Sequence, residues 1–155
     1  MTEEEEIDVL KSIFDEIDKS KTGYLTQKQF VFFINTLSAH EKELKVSEPY
    51  TINSVYKYLD KEGDDKLPFI KVYNWWISPK KYELFSEESA KLINKANRLY
   101  SSHAKNSKLT YEEFEELLAS LKVTHEESTF DDIDKNGDGL MSFSEFFDWL
   151  GWIEI

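Results

Sequence analysis

One twelve-residue stretch decides the fold of this chain: Asp134-Lys135-Asn136-Gly137-Asp138-Gly139-Leu140-Met141-Ser142-Phe143-Ser144-Glu145. Side chains that carry oxygen stand at its first, third and fifth positions, a glycine at its sixth and a glutamate at its twelfth. The glycine permits a sharp turn, because it adopts backbone conformations that other residues disfavour. A loop of this pattern turns its oxygen atoms toward a common centre, which predicts a site for a hard cation.

The pattern matches the calcium loop of the EF-hand motif at every specified position. In that motif Leu140 contributes only its backbone carbonyl, Ser142 ligates through a water, and Glu145 closes the cage with both carboxylate oxygens. The predicted calcium (Ca2+) ligands are therefore Asp134, Asn136, Asp138, Leu140, Ser142 and Glu145. Magnesium (Mg2+) can compete for them, although it prefers a tight octahedron and keeps its waters. The alternative is an acidic turn that holds solvent and no metal.

Composition restricts the function classes open to this chain. Its 155 residues suffice for one domain or two small lobes, and the absence of cysteine excludes disulfides and thiolate metal sites. The formal net charge of -12 disfavours direct nucleic-acid binding and favours basic partners. No apolar run is long enough to span a bilayer, and the first residues lack the features of a signal peptide. We expect a monomeric cytoplasmic protein without membrane insertion, with the nucleus as the alternative compartment.

Three further segments resemble the complete loop and are less complete. The first, Asp18 to Gln29, keeps oxygen-bearing side chains at positions one, three and five and has Gly23 at position six. Its last residue is Gln29, and an amide cannot give two carboxylate oxygens. Since ligand charge tunes affinity in such loops, we expect a weak site whose occupancy the sequence leaves open.

The second and third segments depart further from the pattern. In the segment 60–71, Asp65 stands where glycine is needed, and Lys71 places a cation where glutamate is needed. The segment 102–113 begins with Ser102, has Ala104 in third position and has no glycine in sixth position. We expect no calcium in the segment 60–71, because the cation of Lys71 stands next to the would-be metal. We expect none in the segment 102–113, because too few oxygen ligands remain there.

Each segment lies between apolar residues at helical spacing and has an apolar residue at its eighth position. Four such units resemble the EF-hand superfamily, in the style of calmodulin, troponin C and myosin light chains, over nearly the whole chain. The resemblance implies an all-α fold of two lobes, 1-82 and 83-155, each made of paired helix-loop-helix units. It also implies short β bridges between paired loops, in which Leu25 meets Leu67 and Leu109 meets Met141.

Local signals place helix starts and the border between the halves. The candidate capping residues are Thr2 with Glu5, Ser47 or Thr51, Ser86, and Thr124 with Glu127. The stretch from Ser78 to Lys81 contains a proline and is the best candidate for the break between halves. Four tryptophans, Trp75, Trp76, Trp149 and Trp152, lie on or just after the helices that leave the second and fourth loops. They either pack within each lobe or face a partner.

These features predict a calcium-binding regulatory protein of calmodulin-like architecture that engages a basic amphipathic helix of a target protein. The rival reading is a light-chain-like structural subunit bound permanently to its target, with calcium serving only stability. A pure calcium buffer is a third reading, but one complete loop in 155 residues makes a poor buffer. We do not expect an enzyme, because the three histidines lack metal-ligand spacing and no phosphate-cradling glycine loop is present.

Overall fold

The computed structural model describes residues 2–40, 44, 48–78, 83–105, 108–122, 130, 133–134 and 137–151. Seven α-helices lie within these residues: α1 (Glu3–Ile17), α2 (Gln27–His40), α3 (Pro49–Leu59), α4 (Phe69–Ile77), α5 (Glu87–His103), α6 (Tyr111–Ser120) and α7 (Phe143–Leu150). Two short strands, β1 (Tyr24–Leu25) and β2 (Leu67–Pro68), and a 3₁₀ turn over Glu83–Phe85 complete the described elements. The predicted all-α class is confirmed. None of these helices is both long and apolar enough to cross a membrane.

Capping side chains begin two helices where the sequence predicts them. Thr2 accepts a hydrogen bond from the backbone N–H of Glu5 at 3.2 Å, and Ser86 accepts one from Ser89 at the same distance. The start of α3 differs, since Glu48 is its N-cap and Pro49 its first residue. Proline suits this position because the first helical N–H has no partner within the helix. Thr51 therefore lies inside α3, and the prediction of Thr51 as its cap is wrong. Ser47, Thr124 and Glu127 lie outside the described residues.

The helix-loop-helix units, here called hands and numbered in chain order, associate in pairs through their loops. Strands β1 and β2 are antiparallel, with Leu25 opposite Leu67. Leu109 and Met141 form an isolated antiparallel bridge and exchange N–H···O bonds of 2.9 and 2.8 Å. Both predicted bridges are confirmed, so the first hand pairs with the second and the third with the fourth.

A buried tyrosine reinforces each bridge. Tyr56 of α3 donates its hydroxyl proton to the carbonyl of Leu25 at 2.9 Å, and Tyr100 of α5 donates to the carbonyl of Met141 at 2.8 Å. In both pairs the tyrosine belongs to the helix that enters one hand, and the acceptor is the bridge residue of the other hand. The two pairs are thus built on the same plan.

The tryptophans differ in burial. Trp75 and Trp76 of α4 are buried, and the ring of Trp75 packs 5.9 Å from that of Phe85. Trp149 of α7 is half-buried and lies 5.3 Å from the ring of Phe114. Trp75 and Trp76 are therefore core residues, whereas Trp149 is partly exposed. Trp152 lies outside the described residues.

Helix α3 of the second hand packs along α5 of the third hand through a buried polar network. Asn94 donates to the hydroxyl of Thr51 and accepts from that of Ser54, at 2.9 and 2.8 Å. Asn97 donates to Ser54 at 2.9 Å and accepts from the ammonium of Lys57 at 3.0 Å. These contacts join residues on either side of the predicted lobe boundary between 82 and 83. The boundary itself stays a prediction.

Candidate metal centre

The first, second and fourth loops share one backbone turn. In each, the N–H of position six donates to an oxygen of the position-one carboxylate. The pairs are Gly23 to Asp18 at 2.8 Å, Asp65 to Asp60 at 2.9 Å and Gly139 to Asp134 at 2.8 Å. Positions four and six have positive φ in all three loops, at Lys21, Gly23, Gly63, Asp65, Gly137 and Gly139. The second loop keeps this turn without a glycine at position six, because aspartate tolerates the left-handed conformation better than most residues.

The fourth loop differs from the first in how its leading carboxylate is satisfied. Asp134 is buried, and its Oδ1 atom has no hydrogen-bond partner among the described residues. A buried carboxylate oxygen without a partner is costly. In the first loop, by contrast, Oδ1 of Asp18 accepts from both the N–H and the hydroxyl of Thr22, at 3.0 and 2.7 Å. Asp134 thus retains an oxygen that a cation can bind, whereas Oδ1 of Asp18 already accepts two hydrogen bonds from its own loop.

The pKa values of the two carboxyls shift in opposite directions. Burial raises the pKa of Asp134, and the neighbouring carboxylates of Asp138 and Glu145 raise it further, while the N–H of Gly139 opposes them. Burial also acts to raise the pKa of Asp18, but the hydrogen bonds from Thr22 and Gly23 outweigh it and the pKa is lowered. Crowded carboxylates favour any cation that relieves their repulsion. The fourth loop has this character and the first does not.

The closing residue of the fourth loop also starts a helix. Glu145 accepts the N–H of Ser142 on Oε1 at 2.9 Å, and the hydroxyl of Ser142 accepts the N–H of Glu145 at 3.2 Å. This capping box begins α7 and leaves the other oxygen of Glu145 outside the box. Equivalent bonds to the N–H of position nine are made by Gln29 at 2.9 Å and by Glu113 at 3.0 Å. Capping needs only one oxygen, so Gln29 preserves the helix start without a second carboxylate oxygen.

The structure describes all but one of the predicted calcium ligands. Asp134, Asp138, Leu140, Ser142 and Glu145 lie in the described part of the fourth loop, and Asn136 lies outside it. Oδ1 of Asp138 accepts the N–H of Leu140 at 2.9 Å, and Oδ2 lies 3.8 Å from Nζ of Lys108. In the part of the chain that the structure describes, no three acidic or histidine side chains are already gathered around a metal position. The ligand set therefore stays a prediction that the donor chemistry fits.

The third loop is shorter than its sequence register suggests. Helix α5 continues through His103, and seven residues separate it from α6, against nine between α1 and α2. Ala104 caps α5 by donating to the carbonyl of Tyr100 at 2.7 Å, as Asp60 does to Tyr56 at 2.8 Å. Ala104 thus takes the place that aspartate holds in the other loops. The prediction of Ser102 as first residue is wrong, because Ser102 lies in the last turn of α5. Matching Tyr56 with Tyr100 would have given the correct register.

Both carboxylate oxygens of the closing glutamate in the third loop accept hydrogen bonds from backbone N–H groups. Besides the N–H of Thr110, Glu113 accepts the N–H of Lys105 on Oε2 at 3.1 Å. The bond from Thr110 is the main reason that its pKa is lowered, with the bond from Lys105 adding to it. Both oxygens are therefore used inside the shortened loop.

Paired hands, bridged loops and a shared acidic turn define a class of protein, built from helix-loop-helix units associated two by two. No protein-family profile matches the chain. It is 27% identical over 150 residues to troponin C isoform 1 of Balanus nubilus, covering 93% of this chain and 89% of that protein. It is 25% identical over 153 residues to troponin C isoform 2A of Homarus americanus, covering 96% of each. The chain is similar to troponin C along nearly its whole length, and its seven described helices are consistent with an EF-hand protein.

Proposed function

We propose that this chain is a calcium-binding regulatory protein that takes calcium mainly in its fourth loop and engages a helix of a target protein. The observation that carries the proposal is the buried Oδ1 atom of Asp134, which has no hydrogen-bond partner among the described residues, in a loop that matches the motif throughout. The similarity to troponin C over nearly the whole chain supports the same class of function.

The ligands would be side-chain oxygens of Asp134, Asn136, Asp138 and Glu145, the carbonyl of Leu140 and a water held by Ser142. Bound calcium supplies the positive charge that the crowded carboxylates lack. The chain's own contribution is to hold Asp134 by the N–H of Gly139 and to present Glu145 at the first turn of α7. Because Glu145 belongs to α7, any reorientation of its carboxylate acts directly on that helix.

Helix α7 connects the loop to surfaces beyond it. The ring of Phe147 packs 5.4 Å from the ring of Tyr58 in α3, and Asp148 accepts the hydroxyl proton of Tyr58 at 2.9 Å. A shift of α7 would therefore change contacts with the second hand as well as with the third. The chain carries a formal net charge of -12, and apolar side chains such as Phe32 and Ile77 are exposed. Such a surface favours a basic amphipathic helix as the target.

Calorimetric calcium titration of the chain and of Glu145→Gln tests the proposal. Glutamine retains the single capping oxygen but removes the carboxylate, so α7 should still form while calcium affinity falls by at least about tenfold. The matched control is Glu113→Gln, at the same position of the shortened third loop, which should leave calcium binding unchanged. Equal calcium affinity in the chain and in Glu145→Gln would refute the fourth loop as the main site.

A light-chain-like subunit is the second candidate, and a specific observation favours it. In the first loop Oδ1 of Asp18 accepts two hydrogen bonds and Oδ2 accepts one, and in the third loop both oxygens of Glu113 accept one, so calcium must compete with the protein for these oxygens. The two readings differ in a binding measurement with a basic amphipathic helical peptide. A sensor should bind the peptide at least about tenfold more tightly with calcium than with chelator, whereas a subunit should bind equally in both.

A further inference from the structure

A lysine from the third loop reaches the fourth loop. Nζ of Lys108 lies 3.8 Å from Oδ2 of Asp138, and the Lys108 side chain is only 21% exposed. The side chain also passes the second loop, since a Cβ atom placed on Gly63 would meet its Cε atom at 2.8 Å. Three loops therefore meet around one ammonium group, and the loop that supplies it lacks the calcium pattern.

We infer that Lys108 is a built-in counter-cation of the fourth loop and lowers its affinity for calcium. The inference rests on the proposed function, because Asp138 is a calcium ligand only if the fourth loop is the site. In the metal-free chain the ammonium offsets part of the carboxylate charge. When calcium binds, it replaces the Lys108 ammonium as the partner of the Asp138 carboxylate. The ammonium is then left beside a divalent cation.

Lys108 lowers the calcium affinity of the fourth loop through two electrostatic effects. The attraction between Lys108 and Asp138 stabilises the metal-free loop, and the repulsion between Lys108 and calcium destabilises the bound loop. The pair is partly exposed, since Asp138 is 35% exposed, and solvent therefore weakens each effect. Calcium carries two charges, however, so the repulsion is stronger than that between two ordinary side chains at the same distance.

Packing keeps the ammonium near the loop. Gly63 lacks the side chain that would displace Lys108, and the Cβ atom of Ser142 lies 3.7 Å from the position that a Cβ atom on Gly63 would take. Gly63 and Lys108 belong to loops that are not expected to bind calcium. Their contribution to the site is therefore indirect: the second loop leaves room for a cation and the third supplies it.

The test is calcium titration by calorimetry with Lys108→Met, which keeps an unbranched apolar side chain and removes the charge. We expect about fivefold tighter calcium binding at low salt. The difference should shrink to less than about twofold in about 0.5 M KCl, where charges are screened over roughly 4 Å. Lys108→Arg keeps the charge and should bind calcium like the unaltered chain.

The matched control is Lys91→Met, which removes an exposed positive charge from α5 of the same half and changes the net charge equally. It should change calcium affinity by less than about twofold. If Lys108→Met does not fold, as judged by circular dichroism in chelator, Lys108→Gln replaces it.

The outcomes separate the inference from the proposed function. Loss of calcium binding in Glu145→Gln with unchanged affinity in Lys108→Met would leave the fourth-loop site standing and overturn the role of Lys108. An equal gain in Lys108→Met and Lys91→Met would also overturn it, because net charge alone would then be the cause. Calcium binding that survives in Glu145→Gln would overturn both.

Discussion

Replacing Asn97 with alanine tests the polar contact between α3 and α5 most directly. Asn97 is 2% exposed and makes three hydrogen bonds, to the hydroxyl of Ser54, the ammonium of Lys57 and the hydroxyl of Ser101, at 2.9, 3.0 and 3.0 Å. Each such bond contributes about 1 kcal/mol net, so their loss costs about 3 kcal/mol. Alanine returns roughly 0.5 kcal/mol through its better helix propensity. The expected net loss of unfolding free energy is about 2.5 kcal/mol.

Urea unfolding followed by circular dichroism measures this loss. The control is Asn35→Ala on α2, because Asn35 is an exposed helical asparagine that gains the same helix propensity. It should stabilise the chain by roughly 0.5 kcal/mol. A difference of less than about 1 kcal/mol between the two variants would refute the view that the buried network contributes to stability.

Small-angle scattering adds a second readout of the same contact. One compact body of this length has a radius of gyration of about 15 Å. The unaltered chain in chelator should be close to that value if α3 and α5 stay packed, and Asn97→Ala should increase it. A much larger radius in the unaltered chain would show that the halves separate in solution, and the network would then carry no stability.

The remaining predictions concern the two incomplete loops of the first half. Burial raises the pKa of Asp60 to about 6, so the ionised group destabilises the folded chain above that pH, and the penalty disappears as pH falls below about 4. Asp60→Asn should therefore stabilise the chain by about 1 kcal/mol at pH 7 and by nothing near pH 4, and a pH-independent difference in urea midpoint would contradict this. Gln29→Glu keeps the capping oxygen and adds the missing carboxylate, so calorimetry should show a second calcium site per chain. An unchanged stoichiometry would mean that the hydrogen bonds of Thr22 to Asp18 keep the loop closed to calcium.

The helices and bridges could be predicted from local sequence, because their causes are local. Apolar spacing fixes which face of each helix is buried, and the eighth position of each loop identifies the bridge residues Leu25, Leu67, Leu109 and Met141. The start of α3 was missed because Pro49 at the first helical position outweighs the hydroxyl of Thr51 two residues later. Competing signals at a helix start therefore limited the accuracy of its boundary.

Several features of the site could not be predicted, because they depend on contacts that no local sequence pattern encodes. The predicted register of the third loop was wrong because α5 runs two residues further than the motif allows, as the end of α5 at His103 and the cap at Ala104 show. The approach of Lys108 to Asp138 was missed because the two residues belong to different loops that meet only after the hands pair. The two hydrogen bonds from Thr22 to Oδ1 of Asp18 likewise depend on how the loop closes, although both residues fit the motif.

The two tyrosine contacts explain why hands with incomplete loops are needed in this fold. Tyr56 and Tyr100 belong to the second and third hands, and their acceptors, Leu25 and Met141, belong to the first and fourth hands. The two hands with the poorest calcium patterns thus donate tyrosine hydrogen bonds to the loops of the two hands with the better patterns. A single hand cannot bury its apolar face, so its partner is required for the core whether or not it binds metal. Once calcium ligands are not required of these hands, their loop residues are free to take other roles, and in this chain they place Gly63 and Lys108 beside the fourth loop.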